Sequence, residues 1–482
     1  MNEQRLPLAA LAVPPLPQED DVRQLLVRAR SGFAGKLVVL DDDPTGIQTV
    51  HDVPVYTDWS RETLLRGLRE AGDIFFVLTN SRSFSREETE RVHREIAGNL
   101  AWAAEQADRP FLLLSRGDST LRGHWPLETE TLRQELEHRT DLRFNGEILM
   151  PYFAEGGRYT LHGIHYVRMG QELVPAGQTE FARDATFGYH ASELGEWCQE
   201  MTQGRCPAAS VVHITLEELR SMDVDGITAK LMAARDFTRY AVDAADDRDV
   251  EIFVAALLRA IAGGKHYLFR CAAGLVRVLG GVEKRPLLTG AELESGRGPG
   301  LVLVGSHVKK TTMQLECLLE AGLPVEPVCF DVSCAGDGQA LLRERDRVLA
   351  DLERTLRARR TAVVYTSRKL LRVREGQSQD NLVISVRISQ ALSSLVALLT
   401  VRPGYIVAKG GITSSDVGVK GLGVRRAWVM GQLLPGIPVW RTGPESRFPG
   451  LPYVIFPGNV GDTDSLRRAV EILETGRTGE KE

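Results

Sequence analysis

Three consecutive carboxylates follow an aliphatic run near the start of the chain. The run Leu37-Val38-Val39-Leu40 leads directly into Asp41-Asp42-Asp43-Pro44-Thr45-Gly46. Acidic residues at the end of a strand can bind sugar hydroxyls or a metal ion, and Asp42 or Asp43 could also serve as a catalytic base. A solvated turn is the alternative interpretation, because Asp, Pro and Gly all favour turns.

Two later apolar runs also end in polar residues that could bind a ligand. These candidate residues are Asn80, Arg82, Asp118, Ser119 and Arg122. A guanidinium presents paired donors that match a carboxylate or a phosphate. Arg82 or Arg122, beside residues that can bind hydroxyls, therefore predicts an acidic, polyhydroxylated ligand. A surface ion pair is the alternative interpretation for Arg122.

Short strands that alternate with helices must position these residues. Apolar runs predict strands over residues 37–40, 73–78 and 111–114, and helical patterns cover residues 61–70 and 86–106. Strand, polar end and helix thus recur three times before residue 150, as in right-handed βαβ units. Parallel strands share one carboxyl edge, so we expect the polar ends to surround one pocket.

The second half of the chain contains three glycine turns that follow apolar strands. The turns are Gly305-Ser306, Lys409-Gly410-Gly411-Ile412-Thr413-Ser414 and Gly458-Asn459. Glycine lets the backbone approach a ligand closely, and a helix that begins here would direct free N–H groups at a phosphate. Lys409 could add a positive charge. The Walker pattern is absent, and an ordinary helix start is the alternative interpretation.

Composition limits the class of protein. The 482 residues are too many for one hydrophobic core, and 43% hydrophobic with 26% charged residues excludes wholesale disorder. A formal net charge of -5 provides no basic field for nucleic acid. The sequence contains no apolar run long enough to span a membrane, and its N-terminus makes a poor signal peptide. Its six cysteines lack CxxC spacing and fit a reducing compartment. We therefore expect a cytoplasmic protein that binds no membrane.

The best domain boundary is the aperiodic, glycine-rich stretch 275–300. We therefore predict an N-terminal domain over residues 1–274, a linker over 275–300 and a C-terminal domain over 301–482. The fold class is α/β, with a mostly parallel sheet flanked by helices in each domain and the active site in the interdomain cleft. Residues 1–20 are Pro-rich and should form a surface arm.

Two further segments carry candidate ligand residues. Residues 151–190 read as a long polar loop without secondary structure, in which Arg158 could close over the substrate. A dimer contact is the alternative interpretation of this loop. Another acidic strand end, Asp243-Ala244-Ala245-Asp246-Asp247, could help to hold magnesium or the nucleotide.

The segments Asp42-Asp43-Pro44-Thr45-Gly46 and Asp118-Ser119-Thr120-Leu121-Arg122-Gly123 resemble the two N-terminal signatures of the four-carbon acid sugar kinase family. The resemblance continues through residues 151–160 and 178–184, in the same order, and covers nearly the whole chain. It implies phosphorylation of acids such as threonate, erythronate or oxo-tetronate by ATP, with an N-terminal acid-sugar domain and a C-terminal nucleotide domain. In the family, Gly305-Ser306 would be the first nucleotide-binding position.

The C-terminal turn departs from the family pattern. The common ending has a Lys-Ser-Gly turn with a Phe-Gly pair, whereas this chain has Pro457-Gly458-Asn459-Val460-Gly461. Arg441, Glu445 and Arg447 are candidates to replace the missing phosphate or carboxylate contacts.

Two other functions are alternatives to phosphoryl transfer. Phosphoryl transfer needs clamped phosphates, Mg²⁺ and an aligned acceptor hydroxyl, so we expect ATP and Mg²⁺ as cofactors and a small sugar acid as partner. A sensor that binds both ligands without turnover is one alternative. A dinucleotide-dependent oxidoreductase is a poorer one, because no strand leads into Gly-x-Gly-x-x-Gly. A homodimer is the base-rate expectation for the assembly.

Overall fold

The computed structural model describes residues 3–293, 298–306, 308–367, 378–458 and 460–478. The chain divides into two compact units, one formed by Met1–Thr49 with Asp58–Lys284 and the other by Val50–Thr57 with Arg285–Glu482. Residues 50–57 thus lie in the second unit, although they come early in the sequence. Among the described residues, no helix combines the length and the apolar character needed to cross a membrane.

The described strands, numbered along the chain, are β1 Leu6–Pro7, β2 Lys36–Asp41, β3 Val53–Tyr56, β4 Ile74–Leu78, β5 Phe111–Arg116, β6 Gly146–Met150, β7 Arg158–Leu161, β8 Ile164–Met169, β9 Glu172–Pro175, β10 Val212–Ile214, β11 Thr238–Val242, β12 Tyr267–Cys271, β13 Leu301–Val304, β14 Val325–Phe330, β15 Thr361–Thr366, β16 Ile406–Lys409, β17 Arg426–Leu434, β18 Ile437–Thr442 and β19 Pro452–Phe456.

The described α-helices are α1 Glu19–Arg30, α2 Arg61–Arg69, α3 Arg86–Ala107, α4 Leu127–Arg139, α5 Leu194–Met201, α6 Leu216–Arg220, α7 Val224–Met232, α8 Asp247–Ala262, α9 Ala273–Leu279, α10 Lys309–Leu319, α11 Gly338–Arg357, α12 Ser378–Leu398, α13 Gly411–Asp416 and α14 Ser465–Thr478.

The first unit is built on a parallel sheet with the strand order β10-β11-β6-β12-β5-β2-β4. Every residue of β2, β4, β6 and β12 is buried. Burial on both faces explains why these strands are continuous apolar runs rather than alternating patterns. The predicted α/β fold class and the three N-terminal βαβ repeats are confirmed.

The second unit is also mainly parallel. Strands β19-β16-β13-β15-β14 pair in parallel, and β3, β17 and β18 extend this sheet in antiparallel pairing. Its core packs apolar residues of the central strands against α10 and α14, and includes Val302, Val407, Leu318 and Leu473. Strand β3, from the early segment, pairs with β17 at Val55 and Ala427.

The expectation of a structureless loop over residues 151–190 is wrong. Strands β7, β8 and β9 form an antiparallel sheet, and β1 from the N-terminal arm pairs with β9. The β7–β8 turn has positive φ angles at His162 (52°) and Gly163 (78°), the geometry of a two-residue hairpin. Sequence pattern missed it because the strands are short and histidine is an unusual residue at a left-handed position.

The first part of the predicted linker is helical. Residues Ala273–Leu279 form α9, in which all seven residues are buried. Such a short, fully buried helix lacks the polar face that makes helical periodicity visible in a sequence.

Candidate functional site

Strands β12, β5, β2 and β4 are neighbours in the first unit, and their polar ends lie at one edge of the sheet. Asp41 at the end of β2 is in register with Arg116 of β5, and Arg116 is in register with Cys271 of β12. The residues that follow these strands therefore converge. Asp42 and Asp43, predicted from sequence, meet the side chain of Arg82 here.

Arg82 lies at the centre of a carboxylate cluster. Its Nε donates to Asp42 Oδ2 at 3.1 Å and its Nη2 to Asp42 Oδ1 at 2.6 Å. Its Nη1 donates to Asp43 Oδ2 at 3.3 Å and lies 4.0 Å from Asp118 Oδ1. Burial opposes the charge, but the three carboxylates outweigh it and raise the pKa of Arg82. Arg82, expected to bind the ligand, thus neutralises the protein's own carboxylates.

Asp42 and Asp43 differ in accessibility. The Asp42 side chain is 4% exposed, whereas that of Asp43 is 22% exposed. Burial raises the pKa of Asp42. Burial acts on Asp43 too, but Arg82 and hydrogen bonds from Thr45 outweigh it and lower the pKa of Asp43. Thr45 donates from its N–H at 2.8 Å and from its Oγ1 at 2.6 Å. Asp43 is therefore an ionised carboxylate that a ligand can reach.

Asp41 belongs to the cluster but was not singled out from the sequence. Its Oδ1 accepts a hydrogen bond from Arg116 Nη1 at 3.2 Å. Complete burial raises the pKa of Asp41 to about 7, although Arg116 opposes the shift. A Cβ atom at Gly46 would lie 2.0 Å from Asp41 Oδ1. The glycine of the Asp-Pro-Thr-Gly turn is therefore required so that the turn can fold back over this carboxylate.

The loop Gly117–Gly123 holds the second predicted group. Arg122 Nε donates to Asp118 Oδ2 at 2.7 Å, and Arg122 Nη1 donates to Asp184 Oδ2 at 3.4 Å. Burial opposes ionisation of Asp118, but Arg82 and Arg122 hold its pKa well below the usual range. Like Arg82, Arg122 is therefore paired with carboxylates of the protein.

Arg270 supports this loop from β12. Its Nη2 donates to Arg122 O at 2.7 Å, while its buried Nη1 has no hydrogen-bond partner among the described residues. A Cβ atom at Gly117 would lie 1.0 Å from Nη1. Gly117 therefore makes room for a guanidinium that passes directly beneath the loop.

Two side chains from the region 158–190 fix the same loop. His165 Nε2 donates to Ser119 O at 2.7 Å, and Tyr189 Oη donates to Thr120 O at 2.7 Å. Burial lowers the pKa of His165 to about 4, so the imidazole is neutral at physiological pH. Ser119 itself is buried. The predicted substrate residue Ser119 thus presents its carbonyl to His165.

Arg158 differs from the other arginines of the site. Two guanidiniums lie close to the ring of Phe181, with the Arg158 Cζ 5.3 Å and the Arg122 Cζ 5.2 Å from its centroid. The buried Nε of Arg158 has no hydrogen-bond partner among the described residues. Burial lowers the pKa of Arg158, and Asp118 partly offsets that effect. Arg158 is thus a desolvated cation held by an aromatic ring.

Two predicted acidic or polar positions have local structural roles. Asn80 adopts a left-handed conformation with φ 57°, and its Nδ2 donates to Ser83 Oγ at 3.1 Å. Asp243 accepts backbone N–H groups from His162, Gly163 and Leu216. Asp246 caps α8. The acidic strand end at residues 243–247 therefore organises local backbone, which differs from the expected magnesium or nucleotide role.

In the second unit, the turns after β13, β16 and β19 meet. A Cβ atom at Gly305 would lie 2.2 Å from Thr413 Oγ1, and one at Gly410 would lie 3.2 Å from Ser306 Cβ. Gly410 has φ 127°, a conformation that L side chains rarely adopt. Gly305 and Gly410 are therefore required by the protein's own packing. Their N–H groups donate to Lys409 O and Phe456 O.

The protein's own packing does not require a glycine at position 411. A Cβ atom there would meet no atom within 4 Å, and the next residue, Ile412, is 64% exposed. Ser414 N–H already donates to Gly410 O at 2.8 Å. The N–H groups of Gly411, Ile412 and Thr413 precede this first bond of α13, as at the start of any helix. We call residues 410–414 the open turn, because space is free beside Gly411.

Gly458 joins the same group of turns. A Cβ atom at Gly458 would only reach van der Waals contact with Ser306 Oγ, at 3.7 Å. Lys409, expected to face a phosphate, is buried, and its Nζ donates to Pro457 O at 2.7 Å. Asn459, also predicted to bind nucleotide, lies outside the described residues.

Glu445 and Arg447, two of the residues proposed to replace the missing family contacts, bind the protein's own backbone. Glu445 Oε1 accepts the N–H groups of Arg425 at 2.8 Å and Arg426 at 2.7 Å. Arg447 Nη2 donates to Leu399 O at 2.6 Å. Both side chains therefore stabilise the connections around β17 and β18.

The candidate site residues predicted from the sequence did not include Asp41, Arg116, Arg270 or His165. Arg116 and Arg270 each lie at the end of an apolar run, which is a usable signal. Their proximity depends on the strand order, which the sequence does not display. Among the described residues, no three His, Cys, Asp or Glu side chains are grouped as metal ligands.

Comparison with known proteins agrees with this division of the chain. A sugar-binding N-terminal domain family matches residues 37–279, and a nucleotide-binding C-terminal domain family matches residues 301–466. No curated protein gives a significant match.

Two solved structures share the fold. One is a protein proposed to be a tRNA synthase from Salmonella typhimurium LT2, with 16% identity, a TM-score of 0.63 and coverage of 90% of this chain and 98% of that chain. The other is a Haemophilus influenzae protein of the DUF1537 family, with 17% identity, a TM-score of 0.60 and coverage of 90% and 100%.

The fold and the two matched families define a two-domain α/β protein with an N-terminal domain of a sugar-binding family and a C-terminal domain of a nucleotide-binding family. The chain belongs to the family with the domain architecture of the four-carbon acid sugar kinases. The predicted family resemblance is confirmed.

Proposed function

We propose that this protein is an ATP-dependent kinase that phosphorylates a hydroxyl group of a short sugar acid with four carbons, such as threonate or erythronate. One observation carries the proposal: a single chain contains a sugar-binding domain and a nucleotide-binding domain. A polyol and a triphosphate held by one protein are the two substrates of a sugar kinase.

The acid group of the substrate is assigned to Arg158. Arg82 and Arg122 already bind Asp42, Asp43, Asp118 and Asp184, so a substrate carboxylate would have to displace them. Arg158 has an unused buried Nε and a guanidinium positioned by Phe181. A guanidinium that offers two donors matches a carboxylate geometrically.

The acceptor hydroxyl is assigned to Asp43. A general base must first be within reach of its proton, and Asp43 is the more exposed of the two predicted catalytic carboxylates. Asp42 acts on Arg82, which in turn fixes Asp43. Asp118 lies 4.0 Å from Arg82, and we propose that Asp118, Asn80 and Ser119 contact the substrate hydroxyls.

The triphosphate is assigned to the open turn of the second unit. The first N–H groups of a helix attract anions, and Gly411 leaves space for close approach. Mg²⁺ usually reaches kinase sites through nucleotide phosphates and one or two carboxylates, so a three-residue protein cage is not required. When bound, Mg²⁺ would offset the charge of the phosphates.

An ADP-release assay over a panel of aldonic acids with three to six carbons tests the proposal. We expect acid-dependent ADP formation that is greatest with a four-carbon acid. Binding of both ADP and the acid without any ADP formation from ATP would instead favour a sensor. NADH formation with the same acids would favour an oxidoreductase.

A further inference from the structure

Lys409, the last residue of β16, faces the protein's own backbone. It is 0% exposed, and its Nζ donates to Pro457 O at 2.7 Å and to Gly458 O at 3.1 Å. The ammonium also lies 4.1 Å from the ring centroid of Phe456. Burial, with some repulsion from Lys310, lowers the pKa of Lys409 to about 7. Lys409 thus binds two successive carbonyl groups.

A second donor acts on the same turn. Thr311 is 0% exposed, and its Oγ1 lies 3.3 Å from Gly458 O and 3.3 Å from Ser306 Oγ, so its one proton can be donated to either oxygen. Lys409 and Thr311 therefore hold the carbonyl oxygens of this turn, which carry partial negative charge, toward the protein interior. A carbonyl that faced the other way would repel a phosphate.

The geometry of the peptide bond fixes the direction of the Gly458 N–H group. The Pro457–Gly458 peptide is trans, so its carbonyl and its N–H point in opposite directions. Since Pro457 O points at Lys409, the Gly458 N–H points away from Lys409. A Cβ atom at Gly458 would meet only Ser306 Oγ, at 3.7 Å, so the protein leaves space beside this residue.

We propose that Lys409 is a positioning residue that keeps the Gly458 N–H directed at the nucleotide phosphates without touching them itself. This inference rests on the proposed nucleotide-binding function and assigns a role different from a direct phosphate cation. The charge of Lys409 does not act on the phosphate directly; Lys409 acts through its two hydrogen bonds, which hold the carbonyls of Pro457 and Gly458.

The test measures ADP and adenosine binding to the full chain by calorimetry. Lys409→Met, which keeps the length but removes the donors, should weaken ADP binding about 10- to 100-fold and leave adenosine binding unchanged. Lys409→Arg should restore part of the loss. The KM for the acid should stay unchanged, whereas a general loss of structure would alter it. Equal weakening of ADP and adenosine binding would overturn the proposal.

Thr311→Val provides a second variant should Lys409→Met fail to fold. It should weaken ADP binding about threefold, because Thr311 and Lys409 both bind Gly458 O, and unchanged ADP binding would overturn the proposal that these bonds hold the turn. In the double variant the two losses should be less than multiplicative, since both donors bind one carbonyl. Independent, multiplicative losses would contradict action through this shared carbonyl. If the wild-type chain binds no ADP, the proposed function itself fails, whereas an unaffected Lys409→Met variant removes only the positioning role.

Discussion

The guanidinium of Arg82 binds both carboxylate oxygens of Asp42, through Nε at 3.1 Å and Nη2 at 2.6 Å. This two-point contact fixes the orientation of Arg82, whose remaining Nη1 reaches Asp43. The two aspartates of the Asp-Asp-Pro-Thr-Gly turn differ in exposure. The side chain of Asp42 is nearly buried, whereas that of Asp43 is partly exposed.

Substitution of Asp43 should separate catalysis from stability. We expect Asp43→Asn to lower kcat about 100-fold or more, because the base is lost, and to lower the melting temperature only slightly, because the partly exposed contacts with Arg82 and Thr45 lose a charge. Asp42→Asn should instead lower the melting temperature, because a buried Arg82 loses an anionic partner.

Steady-state kinetics and thermal unfolding of both variants check this prediction. Asp225→Asn is a matched control, because the Asp225 side chain is 96% exposed and pairs with Arg259 at the surface. Full turnover in a folded Asp43→Asn variant would remove Asp43 from the mechanism.

Substitution of Arg158 should affect the acid and spare the nucleotide. We expect Arg158→Met to raise the KM for the acid about 10- to 100-fold with little change in the KM for ATP, because one charge-assisted contact is lost. Initial rates with each substrate varied in turn measure the two constants. Arg168→Met, in the neighbouring strand β8 with an exposed side chain, is the control. An unchanged KM for the acid would show that its carboxylate is bound elsewhere.

Gly411 should tolerate alanine structurally but not functionally. A Cβ atom at Gly411 meets no protein atom within 4 Å, so Gly411→Ala should keep the wild-type melting temperature and raise the KM for ATP several-fold. Gly338→Ala is a matched control, because Gly338 also begins a helix and its Cβ would meet no atom within 4 Å. If both alanine variants have the wild-type KM for ATP, the turn at Gly411 does not approach the nucleotide.

His165 should make the first unit sensitive to acid. Its folded pKa of about 4 lies below the ordinary 6.5, so the unfolded chain binds the proton first as pH falls. The free energy of unfolding should therefore fall between pH 6.5 and 4, by on the order of 3 kcal/mol for this one group. Above pH 6.5, His165 contributes no pH dependence.

Urea unfolding at several pH values measures this effect. His165→Gln, which keeps a donor for Ser119 O, should flatten the slope below pH 6.5. His190→Gln, at a side chain that is 97% exposed, should retain the wild-type slope. Identical slopes for His165→Gln and the wild type would refute the assignment.

The sequence alone was sufficient where the structure depends on neighbours along the chain. Apolar runs such as Leu37–Leu40 fold as strands because they must be buried, and the polar or glycine residues that follow them must then lie at a strand end. This local logic identified Asp42, Asp43, Arg82, Gly410 and Gly411. It also explains why the family signatures are recognisable as short segments.

Tertiary structure decided every property that depends on which strands are adjacent and which way a side chain turns. Arg270 reaches the loop at Gly117 only because β12 pairs with β5, and residues 50–57 join the second unit only because β3 pairs with β17. Likewise, Lys409 binds carbonyls because β16 lies beside β19. Pairing between distant segments is set by packing of the whole unit, and local sequence pattern carries no record of it.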